Sequence, residues 1–206
     1  MIVPFRRFVL AASLALAAAP LYATTYTIEP DYTQAVFRWN HLGFSNPAAQ
    51  LSQGQGTLEF DAANPSHAVV NVTIPLSTLD TGVPALDEHL RSEDFFEVAK
   101  FPTASFRSTK VEQGMGKDRL KVTGDLNLHG VTKPVTLDVT VLKVGSNPRT
   151  SLPTVGFEAT TTLKRSDFGL GAFVPQVSDE IRLQISSQGV EAKGYAEYLK
   201  KQAEKK

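Results

Sequence analysis

Cysteine is missing altogether from the 206 residues of the chain. No disulfide can therefore brace the fold, no lipoprotein anchor can be attached, and no thiolate is available to bind zinc. The four histidines are far apart in the sequence and show no ligand-pair spacing, so no metal site and no cofactor are predicted. The stability of the protein has to come from a packed core.

An excess of charge is missing as well. The chain has 21 basic residues (lysine plus arginine) and 21 acidic ones, which gives a formal net charge of zero. Nucleic-acid-binding proteins carry a surplus of basic side chains, so nucleic acid is excluded as a partner. Signatures of catalysis are also absent: the sequence has no G-x-S-x-G elbow, no glycine-rich phosphate loop and no H-E-x-x-H pair. No catalytic residue is predicted.

The apolar run near the start of the chain is too short for a membrane span, which takes about 20 residues. It extends from Phe8 to Ala19 and follows the basic pair Arg6-Arg7. Ala23 then supplies a small residue at a suitable cleavage point. We therefore expect residues 1–23 to be a cleaved signal peptide and residues 24–206 to be exported to the periplasm.

Apolar and polar residues alternate along most of the exported chain, as they do in half-buried β-strands. Phe37, Trp39 and His41, for example, share one face of such a segment. About eight segments of this kind follow one another, separated by turn-forming residues, and the tight His129-Gly130 turn indicates that the strands on either side of it pair. This pattern is typical of a closed antiparallel barrel.

One segment, at about residues 84–99, has a helical period instead. Leu86 and Leu90 are spaced for one helix face, and Pro84 suits a first helical turn. The stripe breaks at Ser92, which can begin a second short turn. Aromatic residues follow closely, with four phenylalanines between positions 95 and 106. A short helical insert at the mouth of the barrel is therefore predicted.

An eight-stranded barrel either fills its interior with side chains or holds one small ligand. Several inward positions here are modest in size; they are Val70, Val72, Ala104, Val122 and Ala159. Modest walls with aromatic ends leave room for a slender apolar ligand. The alternative at this point is a barrel filled by its own side chains, which would suit a stress-related interaction protein without a ligand.

The last residues, 192–206, form a tail with five lysines. Tyr195, Tyr198 and Leu199 have helical spacing, so a C-terminal helix is expected. This helix can rest on an anionic membrane surface or stay frayed and solvated, and the sequence favours the second form. The oligomeric state is left open, with a homodimer as one option.

Several blocks of sequence, in a fixed order, carry a family resemblance. They are His89-Leu90 with Ser92 and Asp94-Phe95-Phe96, then 100–106, 124–126, 130–135, 165–169 and 177–180. On these blocks the chain resembles the YceI-like family of exported polyisoprenoid-binding proteins. The resemblance implies an all-β fold, an extended eight-stranded antiparallel lipocalin-like barrel, over residues 24–191. It also implies a long isoprenoid chain, as in a quinone or a polyprenyl phosphate, as the bound ligand.

One departure from the family pattern concerns the head group of that ligand. Many members have a His-Ser pair where this chain has Gln34-Ala35, so a contact from that pair cannot be transferred. His41 can bond a head group or have a structural partner, and Arg165 can bond a head group or pair with Asp167 or Asp179 to fix a loop. The expected ligand-binding residues are Phe37, Trp39, His41, Phe60, Ile74, Phe95, Phe96, Phe106, Phe157 and Arg165.

An enzyme acting on a prenylated or small apolar substrate is the remaining alternative. Its best candidates are His89 and Asp94, which are five residues apart and so not quite on one helical face. We expect this pair to anchor the insert rather than to catalyse a reaction.

Overall fold

The computed structural model describes residues 23–205, so residues 1–22 of the predicted signal peptide lie outside the described residues. The described part contains ten β-strands and two α-helices. The strands are β1 Thr24–Ile28, β2 Gln34–Arg38, β3 Ala48–Leu51, β4 Gln55–Phe60, β5 Val69–Pro75, β6 Thr103–Gln113, β7 Arg119–Leu128, β8 Val131–Ser146, β9 Pro153–Lys164 and β10 Glu180–Glu191. The helices are α1 Pro84–Arg91 and α2 Ala192–Ala203.

All strand pairs are antiparallel, and the sheet closes on itself. The order β1-β4-β5-β6-β7-β8-β9-β10 returns to β1 through a direct pairing of β10 with β1. Farther along, β10 pairs with β2, and β2 pairs with β3. β1 and β2 thus act as one interrupted strand beside β10, and β3 and β4 as another. Ten short strands therefore build the predicted eight-stranded antiparallel barrel, which is confirmed.

The two interruptions have local causes. Between β1 and β2, Pro30 begins a 3-10 turn that ends at Tyr32, and proline has no N–H to give to a ladder. Between β3 and β4, Gln53 adopts a positive φ of 61°, which strands do not tolerate. Past β5, the backbone of Asp80 exchanges both hydrogen bonds with Gln50 of β3, at 2.8 and 2.9 Å, and so continues the ladder.

The up-and-down connectivity sorts the loops onto two ends of the barrel. One end, which we call the mouth, has the loops 39–47, 76–102, 129–130 and 165–179. The far end has the loops 61–68, 114–118 and 147–152 and the start of α2. The predicted tight turn at His129-Gly130 is confirmed, with φ values of 52° and 74° and Leu128 paired with Val131.

The helical insert covers the mouth, but its helix is shorter than the predicted range of about 84–99. α1 ends at Arg91 because Ser92 has extended backbone angles, with φ −69° and ψ 175°. Residues 92–100 continue as hydrogen-bonded turns. The Ser92 hydroxyl donates to the His89 carbonyl at 2.7 Å and accepts from the Asp94 N–H at 3.3 Å. The predicted break at Ser92 is therefore present, without a second helix after it.

The tail forms the regular helix α2, which begins with a side-chain cap. The Glu191 carboxylate accepts hydrogen bonds from the N–H groups of Lys193 and Gly194, at 3.1 and 2.7 Å, as helix N-termini favour. The helix contacts β1 and β10, so it is not frayed over 192–203. Contact of this tail with a membrane stays a prediction.

Asp87 connects α1 to the segment before it. Its carboxylate accepts from the hydroxyl and the N–H of Thr81, at 2.6 and 2.7 Å, and Arg91 donates to the Leu79 carbonyl. The Thr81 hydroxyl bond is the main cause that lowers the pKa of Asp87; burial opposes this shift. Leu76 and Leu79 beneath are fully buried, so these polar contacts hold the insert on the core.

We expect Asp87→Asn to lower the Tm by a few degrees at pH 7, because the charged acceptor is lost. A carboxylate with a depressed folded pKa stabilises the fold fully above its unfolded pKa, about 3.9, and that stability disappears as the pH falls through the folded pKa. Wild type should therefore lose its advantage over Asp87→Asn on acidification below about pH 4. Thermal unfolding between pH 7 and pH 3 checks this, with Glu88→Gln on the exposed face of α1 as the control; parallel curves for wild type and Asp87→Asn would contradict it.

Candidate functional site: an apolar cavity in the barrel

A cavity of about 810 Å³ lies inside the barrel. Inward side chains from all ten strands and from α1 line it, and nearly all of them are aliphatic or aromatic. Ligand pockets in proteins commonly measure about 300–1,000 Å³. The expectation of a barrel filled by its own side chains is therefore wrong for this structure.

All ten residues predicted to bind a ligand lie on the cavity wall. Two aromatic pairs mark its ends. Phe60 and Phe157 meet edge to face toward the far end, with ring centroids 5.6 Å apart. Phe37 and Phe96 do the same at the mouth, at 5.8 Å, and Phe96 is 9% exposed. Phe96 therefore lines the cavity from the insert.

The cavity exists because small residues occupy the wall between these aromatic ends. All five modest inward residues named from the sequence line it. Gly124 adds room in another way: a Cβ there would lie 2.5 Å from the Phe106 ring and 2.4 Å from the Arg107 carbonyl oxygen. Glycine in β7 therefore lets the Phe106 ring lie flat against the wall instead of filling the interior.

A second aromatic cluster stands at the mouth. It consists of His89 from α1, Phe95 from the turn after it, and Phe173 from the 165–179 loop. The His89 and Phe95 rings meet edge to face at 5.0 Å, and Phe173 lies 6.3 and 6.1 Å from them. His89, Phe95 and Phe173 all line the cavity, so the cluster narrows its entrance.

His89 and Asp94 come together because the chain turns at Ser92. The His89 Nε2 atom lies 3.6 Å from the Asp94 Oδ2 atom, and both side chains are largely exposed, at 45% and 65%. Within residues 23–205, no hydroxyl group makes a hydrogen bond to the His89 ring. The pair resembles the catalytic His-Asp unit only in composition, since a nucleophile positioned on the ring is absent from the described residues.

Polar side chains are a minority on the wall. The hydroxyls of Thr33 and Ser187 bond each other at 2.9 Å. His41 lines the cavity at its rim and is exposed. Its backbone N–H donates to the Ser45 carbonyl at 2.8 Å, but the described part of the chain gives its ring no hydrogen-bond partner. The structural partner expected for His41 under one interpretation is therefore not found there.

Arg165 fixes the mouth loop from beneath and is only 6% exposed. Its guanidinium donates to the carbonyls of Ser178 at 2.9 Å, Val177 at 3.0 Å and Leu170. Asp179 accepts instead from the N–H and hydroxyl of Ser166, at 2.9 and 2.8 Å. The side chain thus fixes the loop, as one alternative held, but through carbonyls rather than carboxylates.

Two opposing effects act on the pKa of Arg165. Burial lowers the pKa of the guanidinium, and the Asp179 carboxylate opposes that shift. Asp167, the other expected partner, pairs with Lys133 at 3.2 Å. All three hydrogen bonds of the guanidinium lead to the loop, so its contribution to ligand binding stays a prediction.

The insert is fastened to the barrel by His129 of the β7–β8 turn. Its Nδ1 atom donates to the Phe168 carbonyl at 3.1 Å, its Nε2 atom lies 3.6 Å from the Glu97 carboxylate, and the Phe101 ring packs on it at 4.7 Å. One side chain therefore joins three of the four mouth loops.

Sequence reasoning missed many residues of this site, four of which shape the mouth or the wall. Leu42, His89 and Phe173 line the cavity at its mouth, and Gly124 shapes its wall. Leu42 and Phe173 lie in loops, where no strand period marks an inward side chain. The available signal was composition, because residues 39–47 and 169–178 combine large apolar residues with an absence of Asp, Glu, Lys and Arg.

Neither a metal site nor a membrane-spanning helix was found among the described residues. Within 23–205, no group of three or more His, Asp or Glu side chains is placed to hold a metal ion. No helix in the same range is both long and apolar enough to cross a membrane.

Comparison with known proteins gives concordant matches. The YceI-like domain family matches residues 26–188. Protein YceI of Escherichia coli O157:H7 is 40% identical over 184 residues, which cover 88% of this chain and 95% of that protein. A crystal structure of a Campylobacter jejuni YceI protein matches with a TM-score of 0.64 and 28% identity, over 75% of this chain and 90% of that one. A polyisoprenoid binding domain from Saccharophagus degradans shares the fold, with a TM-score of 0.65 and 14% identity over 82% and 99% of the two chains.

The blocks that carry the sequence resemblance lie mostly at the mouth. Residues 89–106 form the insert and the start of β6, 130–135 begin β8, and 165–169 and 177–180 belong to the loop that Arg165 fixes. The match therefore extends to the features that shape the cavity entrance. From its sequence matches and its closed barrel alike, the chain belongs to the YceI-like family.

Proposed function

We propose that this protein is a periplasmic carrier or scavenger that holds the chain of a polyisoprenoid lipid in its cavity and does not act on it as an enzyme. The observation that carries the proposal is an apolar cavity of about 810 Å³ enclosed by a complete barrel. A polyisoprenoid binding domain of the same fold supports the ligand class. The periplasmic location rests on the leader-like residues 1–23.

The energetics of this ligand class suit the cavity. Burial of each CH₂ group contributes about 0.8 kcal/mol, so three prenyl units of about five carbons each contribute roughly 12 kcal/mol. An association cost of about 4 kcal/mol, the low end of the usual range, leaves about 8 kcal/mol. This corresponds to micromolar affinity, without any contribution from the head group.

The ligand is therefore recognised mainly through its tail. The cavity wall offers long apolar surfaces and few free polar atoms, while the polar side chains of His41 and His89 lie at the mouth. In the proposed complex the isoprenoid chain lies between the Phe60–Phe157 pair and the mouth, with its head group near these two histidines. An isoprenoid quinone and a polyprenyl phosphate both fit this description.

We expect the delipidated protein to bind a prenylated quinone at least about 100-fold more tightly than the same quinone without its tail, because the tail supplies the buried apolar area. Isothermal titration calorimetry measures both affinities. Equal affinities would exclude recognition through the tail. Mass spectrometry of an organic extract of the purified protein adds an independent check, since a co-purified isoprenoid is expected.

Filling the cavity should remove binding without unfolding the protein. Ala159 is buried and faces the cavity, so the ring of Ala159→Phe would occupy ligand space. We expect an affinity loss of tenfold or more, with less destabilisation than the roughly 1–3 kcal/mol that overpacking costs in a dense core.

The control is Thr160→Phe, whose side chain is on the exposed outer face of the same strand. It should bind the quinone like wild type. Retained affinity in a folded Ala159→Phe protein would mean that the ligand lies elsewhere.

A further inference from the structure

Two neighbouring loops of the mouth contain no Asp, Glu, Lys or Arg. They are 39–47, between β2 and β3, and 169–178, before β10; we call them the rim loops. The other large mouth loop, 76–102, carries most of the charged side chains at this end. Arg165, Asp167 and Asp179 lie just outside the second rim loop, so the charge-free part of the mouth consists of the rim loops themselves.

The rim loops display large apolar side chains to solvent. Phe44 is 91% exposed, Phe173 57%, Leu42 50% and Val174 37%. Folded proteins rarely leave several such side chains together on the surface, and such patches usually mark a site of contact with a partner or a membrane. The exposed apolar residues of the rim loops therefore indicate a surface that contacts a partner or a membrane.

Hydrogen bonds fix the conformation of the rim loops. The Leu42 N–H donates to the Gln176 carbonyl at 3.0 Å, and the Ser178 N–H donates to the Asn40 carbonyl at 3.0 Å. The Asn40 N–H in turn donates to the Ser178 hydroxyl at 2.9 Å. Arg165 fixes the second loop from inside. The apolar side chains are thus presented by a preformed surface.

Two residues of the rim loops that expose apolar side chains have a strained backbone. Leu42 and Phe173 have positive φ values of 56° and 61°. Such angles are uncommon for residues other than Gly, Asn, Asp and His, and strained backbone of this kind clusters at binding and active sites. Leu42 and Phe173 are exposed at the entrance in this conformation.

The rim is also continuous with the cavity. Leu42 and Phe173 line the cavity and are at least half exposed, so one apolar surface runs from the barrel interior to the outside. His41, His89 and Gln176 are among the polar lining residues at this end, but a lipid that passes over the rim loops meets no Asp, Glu, Lys or Arg side chain of theirs. This continuity points to a source of lipid as the occupant, since the interior and the rim have the same chemistry.

Charge identifies the kind of lipid surface. A face that enters the boundary between head groups and acyl chains must be free of ionised side chains, whose burial is costly. The rim loops meet this condition. They offer no lysine or arginine to attract anionic lipid, so attachment has to come from apolar insertion rather than from charge.

We propose that the rim loops dock the protein on a lipid bilayer, with Phe44, Leu42, Phe173 and Val174 inserted at the surface and the cavity mouth facing the membrane. This deepens the proposed function and rests on it for the identity of the lipid that passes. The docking itself depends only on the rim. It also places the membrane at the mouth, whereas α2 begins at the far end of the barrel.

Flotation of the full-length mature protein with phosphatidylcholine vesicles tests the proposal. Wild type is expected to float with the vesicles, at low and high salt alike. Phe44→Asp puts a charge into the charge-free rim and should weaken the partition at least about tenfold. Phe44 is almost fully exposed, so the substitution removes no packing.

Met115→Asp is the matched control. Met115 is 99% exposed on the β6–β7 hairpin at the far end, so this variant should float like wild type. A wild-type protein that does not float, or equal flotation of Phe44→Asp and wild type, overturns the proposal. So does a loss of flotation on neutralising Lys200 and Lys201 instead, which would assign the membrane contact to the tail.

Quinone binding measured in detergent separates the two proposals. Phe44 does not line the cavity, so Phe44→Asp should bind the prenylated quinone from detergent with wild-type affinity and acquire it from vesicles at least about tenfold more slowly. If the wild-type protein floats with vesicles but binds no quinone in detergent, the proposed function is contradicted and the docking proposal stands. If Phe44→Asp and wild type acquire the quinone from vesicles at equal rates, the docking proposal is contradicted and the proposed function stands.

Discussion

The structure depends on the way β10 closes the barrel. This strand pairs with β9 along nearly its full length, and on its other side with β1 and then β2. Closure through β1 and β10 pairs the long strands on both sides and turns every second side chain toward a common interior; β3 alone ends the sheet, where Gln50 bonds Asp80. In a chain without cysteine, this ladder and the two core clusters at its ends provide the stability. The cavity can stay open because the wall around it is continuous.

The open interior of the barrel also explains why many polar contacts hold the mouth loops in place. A barrel with a hollow interior lacks the central packing that would otherwise fix its loops. Here His129 joins three mouth loops, Asp87 and Arg91 fasten α1 to the segment before it, and Arg165 secures the loop before β10. Hydrogen bonds and ion pairs among the mouth loops thus stabilise this end of the barrel, as a packed core does in barrels with a filled interior. Arg165 and two of its acceptors, Val177 and Ser178, lie within the family sequence blocks.

The sequence predicted the parts of the fold that depend on local period. Alternation marked the inward residues, such as Phe37 and Phe157, because a strand turns every second side chain to one face. The break at Ser92 was predicted because the apolar stripe of the insert stops there; only the helical range of about 84–99 was too long, since α1 ends at Arg91 and residues 92–100 form hydrogen-bonded turns. The hydrogen-bond partners of Arg165 could not be predicted from the sequence either. Every residue has a carbonyl acceptor, so only the path of the loop decides which carbonyls contact the guanidinium. Leu42 and Phe173 were missed because their positive φ angles obey no period.

Trp39 occupies a special place in this arrangement. It is the single tryptophan of the chain, lies on the cavity wall near the rim, and packs against Phe37 with ring centroids 5.9 Å apart. Its indole therefore reports on the entrance and on nothing else in the molecule. Intrinsic fluorescence of the unlabelled protein is therefore a site-specific signal: under the proposed function, a quinone that enters the cavity would quench the emission, and a change in water content at the mouth would shift its wavelength. The position of one side chain would thus allow ligand entry and exit to be followed in real time.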